Sequence, residues 1–348
     1  MNSKIELGQF YTRNNPFQFE RFSTWFRNIP NLPNAKFIEP FGGSNSIVQM
    51  ILETFPEIQT SQWSSFDIHP EAQQENLVPE IRLVKRDTIK NFPAGFSVCI
   101  TNPPYLAKNS ATRKGLSTDF GSFQDLFEVS LSKMLENTPY VAAIIPESFI
   151  TRKVFQDRLE FVISLNFQMF DDTEFPVCLA VFSPQTTPKF EIWRGSRLIA
   201  EVPELDSQIS NVLMPVVTPV FRFNDPAGPI GLNAIDGTKA ASIRFRDGRE
   251  IASENIKVSS RSLTRISSKF LNENPDALPA VIEEANRLLT LYREITNDVY
   301  LTSFKGLRSD GMYRRRLDWR IAGQVLGTAI VNLHPNLANT ILETPKLV

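Results

Sequence analysis

The sequence predicts an α/β fold: a mixed seven-stranded sheet with helices on both faces, followed by a C-terminal α+β domain. Three observations predict it. Strand candidates end at Glu39, Asp67, Asp87 and Asn102, at the separations that successive βα units require. The first run passes through Glu39-Pro40-Phe41-Gly42-Gly43 into residues 48 to 55, whose apolar spacing is helical; strand, glycine turn and helix in that order bring backbone N–H groups close to a ligand. Beyond Ser183 the chain is punctuated by Pro184, Pro188, Pro203, Pro215, Pro219, Pro226 and Pro229, which sets a boundary near residue 188 and gives domains 1–188 and 189–348.

The elements follow in order. A polar, aromatic arm around Tyr11 and Thr12 leads to Pro16, which opens a helix through Arg27. The first strand ends at Glu39. In the turn after it, Asn45 stands where the dinucleotide fingerprint would place a further glycine; Asn tolerates left-handed backbone angles better than most residues. Residues 63 to 68 form the second strand, with Asp67 placed either to grip a ribose diol or to cap a helix beginning at Pro70. Asp87, after the run 83–86, either accepts a hydrogen bond from an adenine amino group or closes a turn. The strand 96–100 must stop at Pro103 and Pro104, which have no backbone donor. Thr101-Asn102-Pro103-Pro104-Tyr105 therefore presents an amide, a stiff backbone and an aromatic ring at a strand's carboxyl end, where open α/β sheets bind ligands.

Residues 107 to 122, rich in Ser, Thr, Lys and Gly, read as a mobile loop carrying Lys108, Arg113 and Lys114. A helix over 123–135, a strand over 140–145, a helix over 152–162 and strands over 163–170 and 177–182 complete the domain. The short joint 171–176 suggests a hairpin, which sets the last strand antiparallel to an otherwise parallel sheet. In the tail, 190–193 is a short β-like piece, and residues 239 to 320 carry a modest excess of Lys and Arg. The stretches 259–265 and 304–316 mix basic, hydroxyl and aromatic residues, which suits phosphate and base contacts or a solvated surface.

Composition narrows the function. A formal net charge of −1 excludes a globally basic nucleic-acid binder and leaves such a role to local charge. Cys99 and Cys178 sit in apolar runs and read as core residues in a reducing compartment. His69 and His334 lie far apart with no ligand spacing around them, so no metal is expected. Residues 1 to 10 have no apolar signal core, and no segment approaches the ~18 apolar residues of a membrane span. A cytoplasmic protein with no membrane partner, and a monomer, is the expectation.

Taken together, these residues resemble the amino-group DNA methyltransferases that use S-adenosylmethionine, and within them the gamma-type, adenine-N6 branch. Asn102-Pro103-Pro104-Tyr105 is similar to that family's (D/N/S)PP(Y/F) motif, and the resemblance covers roughly residues 8 to 182. It implies a Rossmann-like methyltransferase sheet, S-adenosyl-L-methionine as cofactor, and catalytic roles for Asn102, Pro103, Pro104 and Tyr105. It implies cofactor contacts from Tyr11, Thr12, Glu39, Phe41, Gly42, Gly43, Asp67, Ile68, Asp87 and Asn102, with Tyr105 and Phe175 stacking on an extruded base. The tail corresponds to a target-recognition region for duplex DNA, with contacts expected from Lys108, Arg113, Lys114, Arg261, Arg265, Arg308, Arg314, Arg315 and Arg316. The implied setting is a type II restriction-modification system, with a restriction endonuclease as functional companion.

Rival substrates share the tetrapeptide. RNA adenine is one; the glutamine amide of a translation factor is another, although enzymes of that kind carry their extra domain ahead of the catalytic one. A non-catalytic DNA-binding protein that keeps the fold is the alternative from another class.

Overall fold

The computed structural model describes residues 15–70, 76–113, 115, 119–165, 167, 169, 175–215 and 220–338. The chain divides into two compact units, Met1–Ile199 and Ala200–Val348.

The first unit is built on a nine-stranded mixed sheet. In chain order its strands are β1 (Phe37–Glu39), β2 (Trp63–Asp67), β3 (Leu83–Lys85), β4 (Val98–Thr101), β5 (Tyr140–Pro146), β6 (Leu159–Ser164), β7 (Val177–Phe182), β8 (Phe190–Arg194) and β9 (Arg197–Val202). Their spatial order is β3-β2-β1-β4-β5-β7-β6-β8-β9. Strands β1 to β5 are mutually parallel, and β7 runs antiparallel between β5 and β6. The order reverses between β1 and β4, so their carboxyl ends, at Glu39 and Thr101, flank the crevice that such a reversal opens. Strands β4, β5 and β7 are buried along their length apart from Tyr140, which is why they read as continuous apolar runs rather than alternating ones. Helix α1 (Glu20–Arg27) seals one face with Phe22, Trp25 and Phe26; the Phe26 ring stacks on Phe55 at 4.2 Å.

Three sequence expectations change here. The sheet has nine strands rather than seven, because β8 and β9, joined by a turn at Gly195 (φ 57°), add to the edge beside β6. The division between the units falls after Ile199, inside β9. The helix expected over 152–162 is a turn followed by β6: Lys153 and Phe155 take left-handed backbone angles (φ 52° and 57°), which end any helix there, and residues 161–164 are wholly buried. The loop expected over 107–122 contains a short helix, α2 (Lys108–Arg113), because Ala111 packs with Leu106, Phe120, Leu126 and Val129 in a small apolar cluster.

In the second unit, β10 (Arg222–Phe223), β11 (Ile230–Asn233), β12 (Arg244–Asp247) and β13 (Leu263–Ser267) form an antiparallel sheet of order β10-β13-β11-β12. Register pairs Leu232 with Phe245 and Ile230 with Ile266, so these share the face buried in the core with helices α3 (Leu278–Thr296) and α4 (Trp319–Leu333). The alternate positions, Arg244, Arg246 and Arg265, belong to the other face. A hairpin, β14 (Thr302–Leu307) with β15 (Tyr313–Arg316), precedes α4.

Candidate active site

The glycine turn after β1 is fixed by close packing. Gly42 donates its N–H to Phe66 O at 2.7 Å, and a Cβ there would fall 2.2 Å from Ser65 Oγ and 2.7 Å from a Leu83 methyl. Any side chain there would force the Ser65 hydroxyl and the Leu83 methyl to move. Gly43 has φ 51°, and Asn45 itself adopts the left-handed region at φ 61°. The Asn45 side chain is buried, accepting from Ser65 Oγ at 2.5 Å and donating to Asn76 Oδ1 at 2.9 Å. Asn therefore supplies the conformation a glycine would, and ties the turn to β2 as well.

Asp67, at the end of β2, is 5% exposed. Its Oδ2 accepts the Gly43 N–H at 3.1 Å and its Oδ1 accepts the His69 N–H at 2.7 Å. Each oxygen keeps acceptor capacity, so the carboxylate is held by backbone donors and directed at the turn. Ile68, the next residue, is 44% exposed and leaves an apolar surface just past the end of β2. Asp87 is half-buried; it accepts the Lys90 N–H at 3.1 Å and pairs with Lys90 Nζ at 3.3 Å. Thr88 Oγ1 donates to Pro40 O at 2.9 Å and anchors this segment to the glycine turn.

Glu39 is buried at the end of β1. Its Oε1 accepts the Phe41 N–H at 2.9 Å and also hydrogen-bonds to Thr101 Oγ1 across to β4. Burial pushes its carboxyl up to about 8, opposed by the bonds to Thr101 and Phe41 and assisted by the nearby Asp67 charge. Desolvation at this buried position favours the protonated carboxyl, and a bound cation would favour the carboxylate.

Asn102 follows β4 directly and is half-buried, with Pro103 buried behind it. Tyr105 is only 8% exposed; its hydroxyl meets Asn102 Oδ1 and lies 2.6 Å from Ile144 O on β5. Burial pushes the phenol up, so Tyr105 stays neutral, and its single O–H is shared between these two acceptors. Its ring stacks on Phe175 at 6.1 Å and 29°. Phe175, half-buried just before β7, offers ring area that Tyr105 does not. The chain beyond Tyr105 is pinned where Leu106 N–H donates to Asp125 Oδ1 at 3.1 Å and Leu126 N–H donates to Leu106 O at 3.0 Å.

Glu39, Gly42, Gly43, Asp67 and Asn102 thus come together around the β1/β4 crevice, with Phe41, Ile68 and Asp87 on the chain segments that leave it. Tyr11, Thr12 and Lys114 lie outside the described residues. Lys108 is half-buried on α2, and Arg113 is exposed, donating to Asn109 O at 3.2 Å. Sequence reading missed Ser65, Thr88 and Thr101, small hydroxyl residues in or just beyond strands, which give no pattern of their own.

In the second unit the expected basic contacts separate into two kinds. Arg308 and Arg315 are buried, Arg315 completely. Arg308 pairs with Asp236 at 3.1 Å and Asp310 at 2.8 Å, and Arg315 donates to Ser303 Oγ at 2.6 Å. Guanidinium groups enclosed in this way are not presented to a polyanion, and both are removed from the expected contact set. Arg265 donates to Gly228 O at 2.8 Å and Arg314 to Asp236 O at 2.7 Å, each only half-buried. Arg316 is also half-buried, and Arg261 is exposed. Among the described residues, no cluster of three or more His, Cys, Asp or Glu could hold a metal ion, and no helix is long and apolar enough to cross a membrane.

No family model and no curated protein matches the chain. Among solved structures, a modification subunit of a putative type I restriction enzyme from Vibrio vulnificus YJ016 is 11% identical with a TM-score of 0.39, over 54% of this chain and 47% of its own. A putative class I S-adenosylmethionine-dependent methyltransferase from Listeria monocytogenes is 13% identical with a TM-score of 0.39, over 57% of this chain and 70% of its own. The type IIG restriction endonuclease BpuSI is 13% identical with a TM-score of 0.42, over 97% of this chain and 48% of its own. The chain spans about half the length of the first of these. At such TM-scores the activities of those proteins are theirs alone, and the chemistry of this chain has to come from its own residues.

Proposed function

We propose that the chain is an S-adenosylmethionine-dependent DNA methyltransferase that methylates N6 of an adenine extruded from duplex DNA, as the modification enzyme of a type II restriction-modification system. The observation that supports it above all is the juxtaposition of Asn102 with Glu39 and Asp67 at the carboxyl ends of β4, β1 and β2, on either side of the point where the strand order reverses.

The residues fit the cofactor. A carboxylate held by two backbone N–H groups suits a ribose diol, the exposed Ile68 suits an adenine face, and the buried Glu39 carboxyl suits an ammonium. When bound, S-adenosylmethionine supplies an electrophilic methyl on sulfonium. Asn102 Oδ1 and the Pro103 carbonyl accept hydrogen bonds from the adenine amino group, whose lone pair is otherwise delocalised into the ring. Two acceptors draw the nitrogen toward a tetrahedral geometry and aim it; positioning and electrostatics carry the step, with no covalent enzyme intermediate. The nitrogen then gives up one proton to solvent. Tyr105 keeps the Asn102 amide oriented, and Phe175 offers the stacking surface for the extruded base.

The test is expression in a methylation-free host followed by single-molecule sequencing. N6-methyladenine at one short motif is expected; unmodified DNA, or methylation of cytosine, would contradict the proposal.

A further inference from the structure

One exposed turn of the second unit is built as few surface turns are. Ser260 N–H donates to Lys257 O at 2.9 Å, which makes residues 257–260 a hydrogen-bonded β-turn with Val258 at its second position. Val258 is 95% exposed. A β-branched apolar residue gains nothing from that position, where Pro and small polar residues are favoured. The turn is nonetheless rigidly held. Asn224, itself left-handed at φ 57°, donates Nδ2 to Val258 O at 2.9 Å and to Ser260 O at 3.1 Å, and its N–H to Thr264 Oγ1 at 2.7 Å. Ser260 Oγ closes the base on Leu263 O at 2.5 Å.

Charge surrounds this apolar tip. Lys257 and Arg261 flank it and are exposed. Ala234 N–H binds Ser262 O and Leu317 N–H binds Ala234 O, both at 2.8 Å, so the residues after Arg261 and those after Arg316 meet on the same short segment. Burial and the neighbouring Arg261 charge both push the Arg316 guanidinium down. Asp318 is the acid closest to it in sequence, and its Oδ1 already caps α4 through Ile321 N–H at 2.9 Å. Glu254, earlier in the same loop, is exposed. Among the described residues neither Arg261 nor Arg316 forms an ion pair. Two cations on segments that meet at Ala234 and an apolar tip on a rigid turn match a phosphate beside a stack of bases.

We infer that the 257–261 turn and Arg316 form a contact on duplex DNA, in which Arg261 and Arg316 hold one backbone phosphate and Val258 presses into the base stack. The inference rests on the proposed DNA substrate and names a contact within it.

The test is fluorescence anisotropy of the full chain on a labelled mixed-sequence DNA duplex over a range of salt, with methyl transfer measured on plasmid DNA in parallel. Val258→Ala should weaken binding about fivefold with an unchanged salt slope, since it removes apolar contact only. Arg261→Gln should lower the salt slope by about one, since it removes one phosphate contact. Both side chains are exposed, so thermal melting should match wild type. An affinity for Val258→Ala within twofold of wild type, an unchanged slope for Arg261→Gln, tighter binding of single-stranded RNA than of duplex, or no duplex binding by the wild-type chain overturns the inference. If methyl transfer proceeds while both variants bind as wild type, the contact fails and the methyltransferase proposal stands. If the variants behave as expected but no methyl is transferred, the contact stands and the enzyme proposal fails.

Discussion

At the scale of single residues, the site is tuned by hydrogen bonds that burial makes costly to lose. The Tyr105 hydroxyl serves Asn102 Oδ1 and Ile144 O from one buried position. Tyr105→Phe keeps the ring and its stack on Phe175 but removes the donor that orients the amide. Turnover should fall by about tenfold, the worth of one such bond, while the cofactor dissociation constant stays unchanged; steady-state kinetics with calorimetry checks both. Glu39 carries a pH prediction. Its carboxyl is held at about 8 in the fold against an ordinary value of 4.5, so the folded chain keeps a proton that the unfolded chain releases. That contribution to stability is fully present below pH 4.5 and is lost as pH rises through about 8. Glu39→Gln should flatten the fall in melting temperature between those limits. The ends of β1 at Glu39 and β2 at Asp67 and the stop of β4 before Asn102 were legible because prolines follow each of them closely. Thr101 and Ser65 were not, since a hydroxyl inside a strand gives no pattern until the strands are laid side by side. The stacking role expected of Tyr105 likewise needed the fold, which encloses its ring and leaves Phe175 the more open of the two.

Among the elements, the glycine turn shows how tightly sequence and packing are coupled. Gly42→Ala drives a methyl into Ser65 Oγ and Leu83. It should cost about 1–3 kcal/mol in urea unfolding and weaken cofactor binding, and adding Ser65→Ala should recover part of that loss. Strands with a clear stop were the readable ones: the prolines after β4 and the acid ending β2 mark their own boundaries. Misreadings arose where apolar residues run on without punctuation. The stretch Phe161-Val162-Ile163 satisfies a buried helix or a buried strand equally, and the left-handed Lys153 and Phe155 that decide for a strand are invisible in residue type. In 107–122 the polar composition concealed a short helix anchored by a single buried Ala111.

At the scale of the whole molecule, two units have distinct supports, a long mixed sheet in one and an antiparallel sheet backed by helices in the other. The second depends on a buried charge cluster. Asp236 is fully buried and pairs with Arg293 at 2.9 Å and Arg308 at 3.1 Å; burial pushes its carboxyl up, and Arg293 together with the Ser242 and Ile243 N–H donors outweighs that and holds it below the usual range. Asp236→Ala strands two guanidinium groups and should destabilise this unit by about 3–5 kcal/mol. The stabilisation from Asp236 is present above its unfolded pKa and lost as pH falls through the folded one, so acid melting should begin here. Sequence grouped Arg308 and Arg315 with surface arginines because their partners, Asp236 among them, lie some seventy residues upstream or on another strand. The central claim is that Asn102 directs the accepting nitrogen beside a separately held cofactor. Asn102→Ala should lower methyl transfer to DNA by about a thousandfold or more while calorimetry shows S-adenosylmethionine binding within about threefold of wild type. Near-normal transfer by Asn102→Ala would contradict it.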